Sequence, residues 1–215
     1  MVSKVFDGLY AFIWQDYRQN NCNTYLIDDG KRILIDPGHA HLFGHVEQGL
    51  SSLGIGSDTI DIIIITHAHP DHMEAALMFK KPTLLAMGKT DFEYLKDMAG
   101  EFYKIPQPDF FLMPGELEVG SLTFEIIETP GHTPGSICVF WPKHGALFTG
   151  DLIFEQGIGR TDLPGGSGKQ LKDSILKVES LPAQYLFPGH GNSISGIRAV
   201  KENFHQVKEY WFRYL

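Results

Sequence analysis

The most telling stretch of this chain is Thr66-His67-Ala68-His69-Pro70-Asp71-His72, which directly follows the apolar run Ile60-Asp61-Ile62-Ile63-Ile64-Ile65. An almost wholly apolar run of this length is typical of a buried β-strand. Imidazole nitrogens and carboxylate oxygens are good ligands for zinc, iron and manganese. The stretch therefore places a cluster of potential metal ligands, histidines and one aspartate, at the end of a rigid buried strand.

Further ligand-type residues lie later in the chain. His132, Asp151 and His190 each follow a strand-like segment and a turn that contains glycine. Strand ends hold side chains rigidly, and the loops beyond them give a substrate access. Together with the first stretch, these residues are enough for two metal ions about 3.5–4 Å apart that share a hydroxide. The pattern predicts a metal-dependent hydrolase.

The spacing suggests how the ligands are shared. His67 and His69 lie two positions apart in the turn after the strand, so both can face one metal ion. Asp71 and His72 come where the chain turns into a helix, and they can face a second ion. Asp151 can bridge the two ions, because a carboxylate has two oxygens. The other histidines are interpreted as ordinary surface or core residues: His39, His41, His45, His144 and His205.

At these residues the chain resembles the metallo-β-lactamase superfamily. The matching motifs are H-x-H-x-D-H at 67–72, T-P-G-H-T-P-G-S at 129–136, T-G-D-L-I-F at 149–154 and P-G-H-G at 188–191. The resemblance covers nearly the whole chain. It implies an α/β fold, the αββα sandwich of two mixed sheets flanked by helices. The same architecture is predicted by the two strand-rich halves of the chain, each with helical segments.

The resemblance also implies a ligand set of seven residues. One metal ion takes His67, His69 and His132, the other takes Asp71, His72 and His190, and Asp151 bridges them. Asp71 is also expected to orient the metal-bound hydroxide. The cofactors are then two divalent metals, with zinc expected first and iron or manganese as alternatives.

The glycine-rich loop 158–167, I-G-R-T-D-L-P-G-G-S, narrows the resemblance to short glyoxalase II-like hydrolases. We expect Arg160 and Asp162 to order this loop rather than to contact the substrate. The implied reaction is hydrolysis of a thioester of the hydroxyacylglutathione type. Because 25 residues (215 − 190) follow His190, we do not carry over the glutathione site that a helical C-terminal domain supplies in long glyoxalase II proteins.

Other functions stay open at this point. One is an Fe(II) persulfide dioxygenase, for which the family analogy gives His67, His132 and Asp151 as ligands. Another is a different hydrolase of the same fold, such as a lactonase. A third is a purely structural metal site, which is disfavoured because structural zinc sites are usually rich in cysteine, and the predicted set contains none.

Composition limits the class of protein. The chain has 215 residues, with 43% hydrophobic and 20% charged residues and a formal net charge of −8. These values predict one globular domain over residues 1–215. The acidic balance disfavours a nucleic-acid or anionic-membrane partner, and no apolar stretch is long enough to span a membrane. We expect a small-molecule substrate, an acyl thioester.

The expected location is cytoplasmic. There are only two cysteines, without a C-x-x-C arrangement, and the first residues lack the apolar segment of a secretory signal. The oligomeric state is open. An apolar stripe from Ile197 to Tyr214 predicts a C-terminal helix that packs on the core, with a dimer contact as the alternative.

Two more local predictions concern loops and helices. Asp36-Pro37-Gly38 is expected to form a turn or to support the metal loops. A helix is predicted over Met73–Phe79 and a long loop over Gly100–Gly115.

Overall fold

The computed structural model describes residues 2–100 and 104–215. Within these ranges the strands are β1 (Val2–Phe6), β2 (Leu9–Phe12), β3 (Thr24–Asp28), β4 (Arg32–Ile35), β5 (Ile62–Ile65), β6 (Leu84–Gly88), β7 (Phe110–Leu112), β8 (Gly115–Val119), β9 (Leu122–Glu128), β10 (Ile137–Trp141), β11 (Ala146–Gly150), β12 (Ile153–Phe154), β13 (Gly157–Ile158), β14 (Tyr185–Pro188) and β15 (Ile194–Ser195). The α-helices are α1 (Gly44–Ser52), α2 (Pro70–Met73), α3 (Lys89–Met98), α4 (Gly168–Glu179) and α5 (Ile197–Trp211).

These strands form two large mixed sheets. The first has the order β1-β2-β3-β4-β5-β6-β7, and it is antiparallel up to β4 and parallel from β4 to β7. The second has the order β15-β14-β11-β10-β9-β8, in which only β11 and β14 are parallel among the described residues. Strands β12 and β13 form a small separate hairpin.

Alternation along the strands separates an inner core from two outer cores. In β5, Ile62 and Ile64 belong to the cluster between the sheets, whereas Ile63 and Ile65 belong to the cluster under the helices. Successive side chains of a strand point to opposite faces, so both faces of this strand need cover. Helices α1 and α3 cover the first sheet, and α4 and α5 cover the second. The predicted αββα sandwich is confirmed.

Several local predictions were wrong in detail. The helix predicted over Met73–Phe79 starts earlier, as α2, and continues as a 3-10 helix over Glu74–Met78. Proline is favoured at the first position of a helix, where its missing N–H costs nothing, so Pro70 sets the early start. The loop predicted over Gly100–Gly115 contains β7, and its residues 101–103 lie outside the described residues.

The apolar stripe predicted for the C-terminal helix is buried only in its middle part. Val200, Phe204 and Val207 are buried against the second sheet, as predicted. Ile197 and Tyr214, at the two ends of the stripe, are 50% and 69% exposed, so the core-packing prediction was wrong for them. No helix in the described parts of the chain has the length and apolar character needed to cross a bilayer.

Candidate metal centre

The predicted ligand residues come from loops at one edge of the two sheets and, for Asp71 and His72, from the short helix α2. His67 and His69 follow β5, whose parallel neighbour β4 ends just before Asp36. Asp151 follows β11 and His190 follows its parallel neighbour β14. Carboxyl ends of parallel strands meet at the same edge of a sheet, which is where α/β proteins place ligands.

The first group of predicted ligands consists of His67, His69 and His132. Nδ1 of His69 lies 3.1 Å from Nε2 of His67 and 2.8 Å from Nε2 of His132. Three ring nitrogens at these distances converge on one point, as the lone pairs of neutral imidazoles do around a metal ion.

The second group consists of Asp71, His72 and His190. Nε2 of His190 lies 3.3 Å from Oδ2 of Asp71 and 3.4 Å from Nε2 of His72. The ligand atoms of each group lie within 4.8 Å of one another. The structure therefore brings the six non-bridging residues together in the two sets that the resemblance implies.

Asp151 lies between the two groups. Its Oδ2 is 3.4 Å from Nε2 of His132 and 3.4 Å from Nε2 of His190, and its Oδ1 is 3.3 Å from Nε2 of His72. Oδ1 is buried, and apart from this contact with His72 it has no hydrogen-bond partner among the described residues. A buried, unsatisfied carboxylate oxygen is costly unless a cation neutralises it. The donor set and this oxygen together fit a pair of divalent metal ions.

The glycine of the P-G-H motif keeps this space open. A Cβ atom at Gly189 would lie 2.3 Å from Oδ1 of Asp151 and 2.6 Å from Cε1 of His72. Both distances are far below ordinary van der Waals contact, so only glycine lets the β14 loop approach the two side chains this closely.

Asp36 supports both ligand groups from behind. Its Oδ2 accepts hydrogen bonds from Nδ1 of His72 at 2.8 Å and from Oγ1 of Thr66 at 2.6 Å. Thr66 Oγ1 in turn lies 3.1 Å from Nδ1 of His67. With Nδ1–H donated to these acceptors, Nε2 of both histidines is left free as a ligand atom. The supporting role predicted for the Asp36 turn is confirmed.

Replacement of Asp36 by asparagine is expected to weaken metal binding or activity by about 10- to 100-fold, the usual effect of losing such a partner. Asparagine has a single acceptor oxygen, so it cannot accept from both the Thr66 backbone N–H and His72 Nδ1–H, and the support of the His72 ring is weakened. The measurement is metal content after dialysis against a graded metal buffer, with Asp173→Asn on the exposed face of α4 as the matched control. Parental affinity in the Asp36 variant would contradict the supporting role.

A second buried carboxylate, Asp91 of α3, holds the loops of the first group. Its Oδ2 accepts from the backbone N–H of Ala68 at 2.7 Å and from Oγ1 of Thr133 at 2.8 Å. Its Oδ1 accepts from the backbone N–H of Gly135 at 2.6 Å. Ala68 separates His67 from His69, and Thr133 follows His132, so one side chain ties together the loops that carry all three ligands. Sequence reasoning missed Asp91.

The glycine-rich loop supports His132 through its backbone. Nδ1 of His132 donates to the carbonyl oxygen of Arg160 over 2.7 Å. The Arg160 side chain forms two parallel hydrogen bonds with the Asp162 carboxylate, of 2.8 and 2.7 Å, a geometry that fixes both groups. Arg160 and Asp162, which were predicted to order this loop, therefore bond to each other within it. Sequence reasoning did not identify the carbonyl contact, because any residue can supply it.

The loop between β2 and β3 contacts the second group. Nδ2 of Asn20 donates to Oδ2 of Asp71 at 2.8 Å, and the Cys22 N–H donates to the Asp71 carbonyl at 3.3 Å. Nδ2 of Asn23 donates to the carbonyl oxygens of Pro188 and Gly191, which flank His190. These asparagines were also missed, since their partners are distant in sequence.

Two histidines of the first group and two of the second have pKa values shifted in opposite directions. Burial, helped by the neighbouring histidines, lowers the pKa of His67 well below its usual value and that of His69 to about 4. Burial also opposes charge on His72 and His190, but Asp151 outweighs it, raising the pKa of His72 well above its usual value and that of His190 to about 9. Ligand histidines must be neutral, so metal binding to the second group releases protons.

A cavity of about 490 Å³ opens onto the centre. Five of the ligands line its floor, and Asn20 and Arg160 lie at its polar wall. Its other wall is apolar. The apolar lining residues are Pro70, Phe154, Ile158 and Leu163. A cavity of this size, with a few convergent polar groups, suits a small organic substrate.

Comparison with known proteins agrees with this geometry. The family model described as Metallo-beta-lactamase superfamily matches residues 17–190. The probable metallo-hydrolase MJ0888 of Methanocaldococcus jannaschii is 38% identical over 183 residues, covering 79% of this chain and 87% of the relative. The hydroxyacylglutathione hydrolase GloC of Haemophilus influenzae is 33% identical over 190 residues, covering 81% of this chain and 86% of the relative.

Solved structures share the fold. The B3 metallo-beta-lactamase BLEG-1 is 29% identical with a TM-score of 0.68, covering 88% of this chain and 92% of that chain. TTHA1623, solved in a di-iron-bound form, is 26% identical with a TM-score of 0.69, covering 90% of this chain and 95% of that chain.

Proposed function

Since the chain belongs to the metallo-β-lactamase superfamily, we propose that it hydrolyses an acyl thioester of the hydroxyacylglutathione type at the two-metal centre described above. The coarser statement, that it is a metallo-hydrolase, rests on the family and on relatives that carry this name. The observation that carries the proposal is the position of Asp151, in contact with both ligand groups. The thioester is suggested by the relative GloC.

We propose the seven predicted residues as the metal ligands. His67, His69 and His132 would hold one ion, Asp71, His72 and His190 would hold the other, and Asp151 would be shared by both. When bound, the ions supply Lewis acidity, which lowers the pKa of a water molecule towards neutrality and polarises the substrate carbonyl. Zinc is the first candidate, and iron is the alternative because TTHA1623 was solved in a di-iron-bound form.

The protein's own side chains position the reactants. Asp71 lines the floor of the cavity, and its Oδ2 is held by Asn20. A carboxylate fixed in this way can accept a hydrogen bond from the attacking water and so orient it towards the acyl carbon. Phe154 and Ile158 give the substrate chain an apolar lining.

The cavity favours a substrate with a good leaving group. Among the described residues, its lining contains no lysine, tyrosine or cysteine. An amide releases an amine that must be protonated as it leaves, whereas a thioester releases a stable thiolate that needs no strong general acid. This favours thioesters over amides as substrates.

The test is to strip the protein with a chelator, reload it separately with Zn²⁺, Fe²⁺ or Mn²⁺, and assay S-lactoylglutathione. We expect release of one thiol and one lactate per substrate with at least one metal, two metal ions per chain and no oxygen consumption. A lactone and a β-lactam serve as comparison substrates. Absence of thioester turnover with every metal would overturn the proposal, and one iron per chain with oxygen consumption on glutathione persulfide would favour the dioxygenase.

A further inference from the structure

A second cluster of metal-ligand side chains lies outside the centre. It consists of His39, His41 and Glu74, whose ligand atoms lie within 4.8 Å of one another. His39 and His41 flank the start of the 3-10 turn Ala40–Leu42, and Glu74 begins the 3-10 helix that follows α2. The sequence pattern gave these histidines no role, because Glu74 is far away along the chain.

Two of the three side chains are already held in place. Oε2 of Glu74 lies 3.0 Å from Nδ1 of His39 and accepts the backbone N–H of Ala40 at 3.3 Å. The backbone N–H of His39 donates to Oδ1 of Asn21 at 2.8 Å. Side chains that are fixed before a ligand arrives lose less conformational entropy when it binds.

The pairing of His39 with Glu74 does not explain why His41 lies beside them. The rings of His39 and His41 lie 5.0 Å apart between centroids and are tilted by 46°, so both imidazoles stand beside the same carboxylate. His39 and Glu74 are partly buried, whereas His41 is exposed. The cluster is thus partly preformed and open to solvent on the His41 side.

The cluster is also separate from the centre. In the hydrogen bonds of the described residues, no side chain of the cluster bonds to a side chain of the seven proposed ligands. The link is through backbone only: Gly38 donates to the carbonyl of His72, and Ala75 donates to the carbonyl of Gly38. An ion here would therefore be an additional one.

We propose that His39, His41 and Glu74 form a third, peripheral metal site for a divalent transition ion such as Zn²⁺, Co²⁺ or Ni²⁺. Two histidines and a glutamate are a zinc-ligand set that leaves further positions for water, and imidazole suits all three ions. The site is weaker than the centre, because it has three protein ligands on the surface and no bridging carboxylate.

The test is metal stoichiometry, not activity. The full chain is stripped with a chelator, dialysed against increasing free Zn²⁺ and analysed for bound metal. We expect His41→Ala and Glu74→Gln to saturate at one equivalent less than the parent, with the weakest equivalent lost. His205→Ala is the matched control, because His205 is also an exposed histidine near a glutamate, Glu209 at 3.4 Å.

The outcomes separate this proposal from the proposed function. A His132→Ala variant is expected to lose metal at the centre and to keep the peripheral equivalent. If the parent, His41→Ala and Glu74→Gln proteins saturate at the same number of ions, the peripheral site does not exist. If the parent binds only the one ion that His41→Ala removes, the peripheral site stands and the two-metal hydrolase fails.

Discussion

Replacement of Asp151 by asparagine is expected to lower kcat/KM for thioester hydrolysis by about 1,000-fold. Metal ions at such centres contribute several kcal/mol of transition-state stabilisation, and about 4 kcal/mol corresponds to three powers of ten in rate. Asp151 contacts His132 in one ligand group and both His72 and His190 in the other. In the proposed ligand set, its loss would therefore affect both ions, whereas the loss of any other proposed ligand would affect one.

The charge of Asp151 matters more than its shape. Burial favours the neutral acid, but the positive charges of His72 and His190 outweigh burial and hold the pKa of this carboxyl well below its usual range. Asparagine keeps the size and removes the charge, so the variant isolates the electrostatic effect. Steady-state kinetics and bound metal are measured together.

The matched control is Asp58→Asn, an exposed aspartate in the 3-10 turn that precedes β5, at the opposite end of that strand from the metal loops. It is expected to keep parental kinetics and metal content. An Asp151→Asn variant that retains two ions and most of its activity would show that Asp151 does not bridge them.

Replacement of Asp91 by alanine is expected to destabilise the protein by about 2–6 kcal/mol, because it leaves two buried donors unsatisfied and each costs about 1–3 kcal/mol. The orphaned donors are the backbone N–H groups of Ala68 and Gly135. Thr133 keeps an alternative partner in Ser136. Asp91 has no measurable solvent exposure, so water cannot replace it without local opening.

Urea unfolding of the metal-free proteins measures this effect without a contribution from bound ions. Glu93→Ala on the same helix is the control, since Glu93 is exposed and its only ion pair among the described residues is with Lys89. Such a surface change is expected to cost less than about 0.5 kcal/mol. The Asp91 variant should also bind metal more weakly at the group of His67, His69 and His132. Equal stability of the Asp91 and Glu93 variants would contradict the proposed role of Asp91 in holding these loops.

Much of the site follows from local sequence. Ile62 to Ile65 form a strand because every side chain in the run can be buried, and the histidines after it are then fixed at a sheet edge. The types of the predicted ligand residues and their order along the chain are local features. The glycines before His132, Asp151 and His190 are local features too. A resemblance built on those motifs was enough to predict the sandwich.

Pattern reasoning failed where a segment has little local signal. Strand β1 was not predicted, because it is an edge strand whose Ser3 and Lys4 are exposed. Strand β7 is only Phe110–Leu112, too short to stand out in a loop rich in proline and aromatic residues. Both segments become strands because each pairs with a neighbouring strand through hydrogen bonds. This pairing depends on the tertiary structure and not on the local sequence.

The chain thus carries its ligands in local motifs, whereas the groups that aim them are set by the packing of distant segments. Asp36 reaches His72 across 36 positions and Asp91 reaches Thr133 across 42; His39 meets Glu74 across 35. Spacing along the sequence cannot report such contacts, because they depend on how strands and helices stack. The histidine motif indicates metal chemistry, and the packing of the two sheets orients the side chains that this chemistry needs.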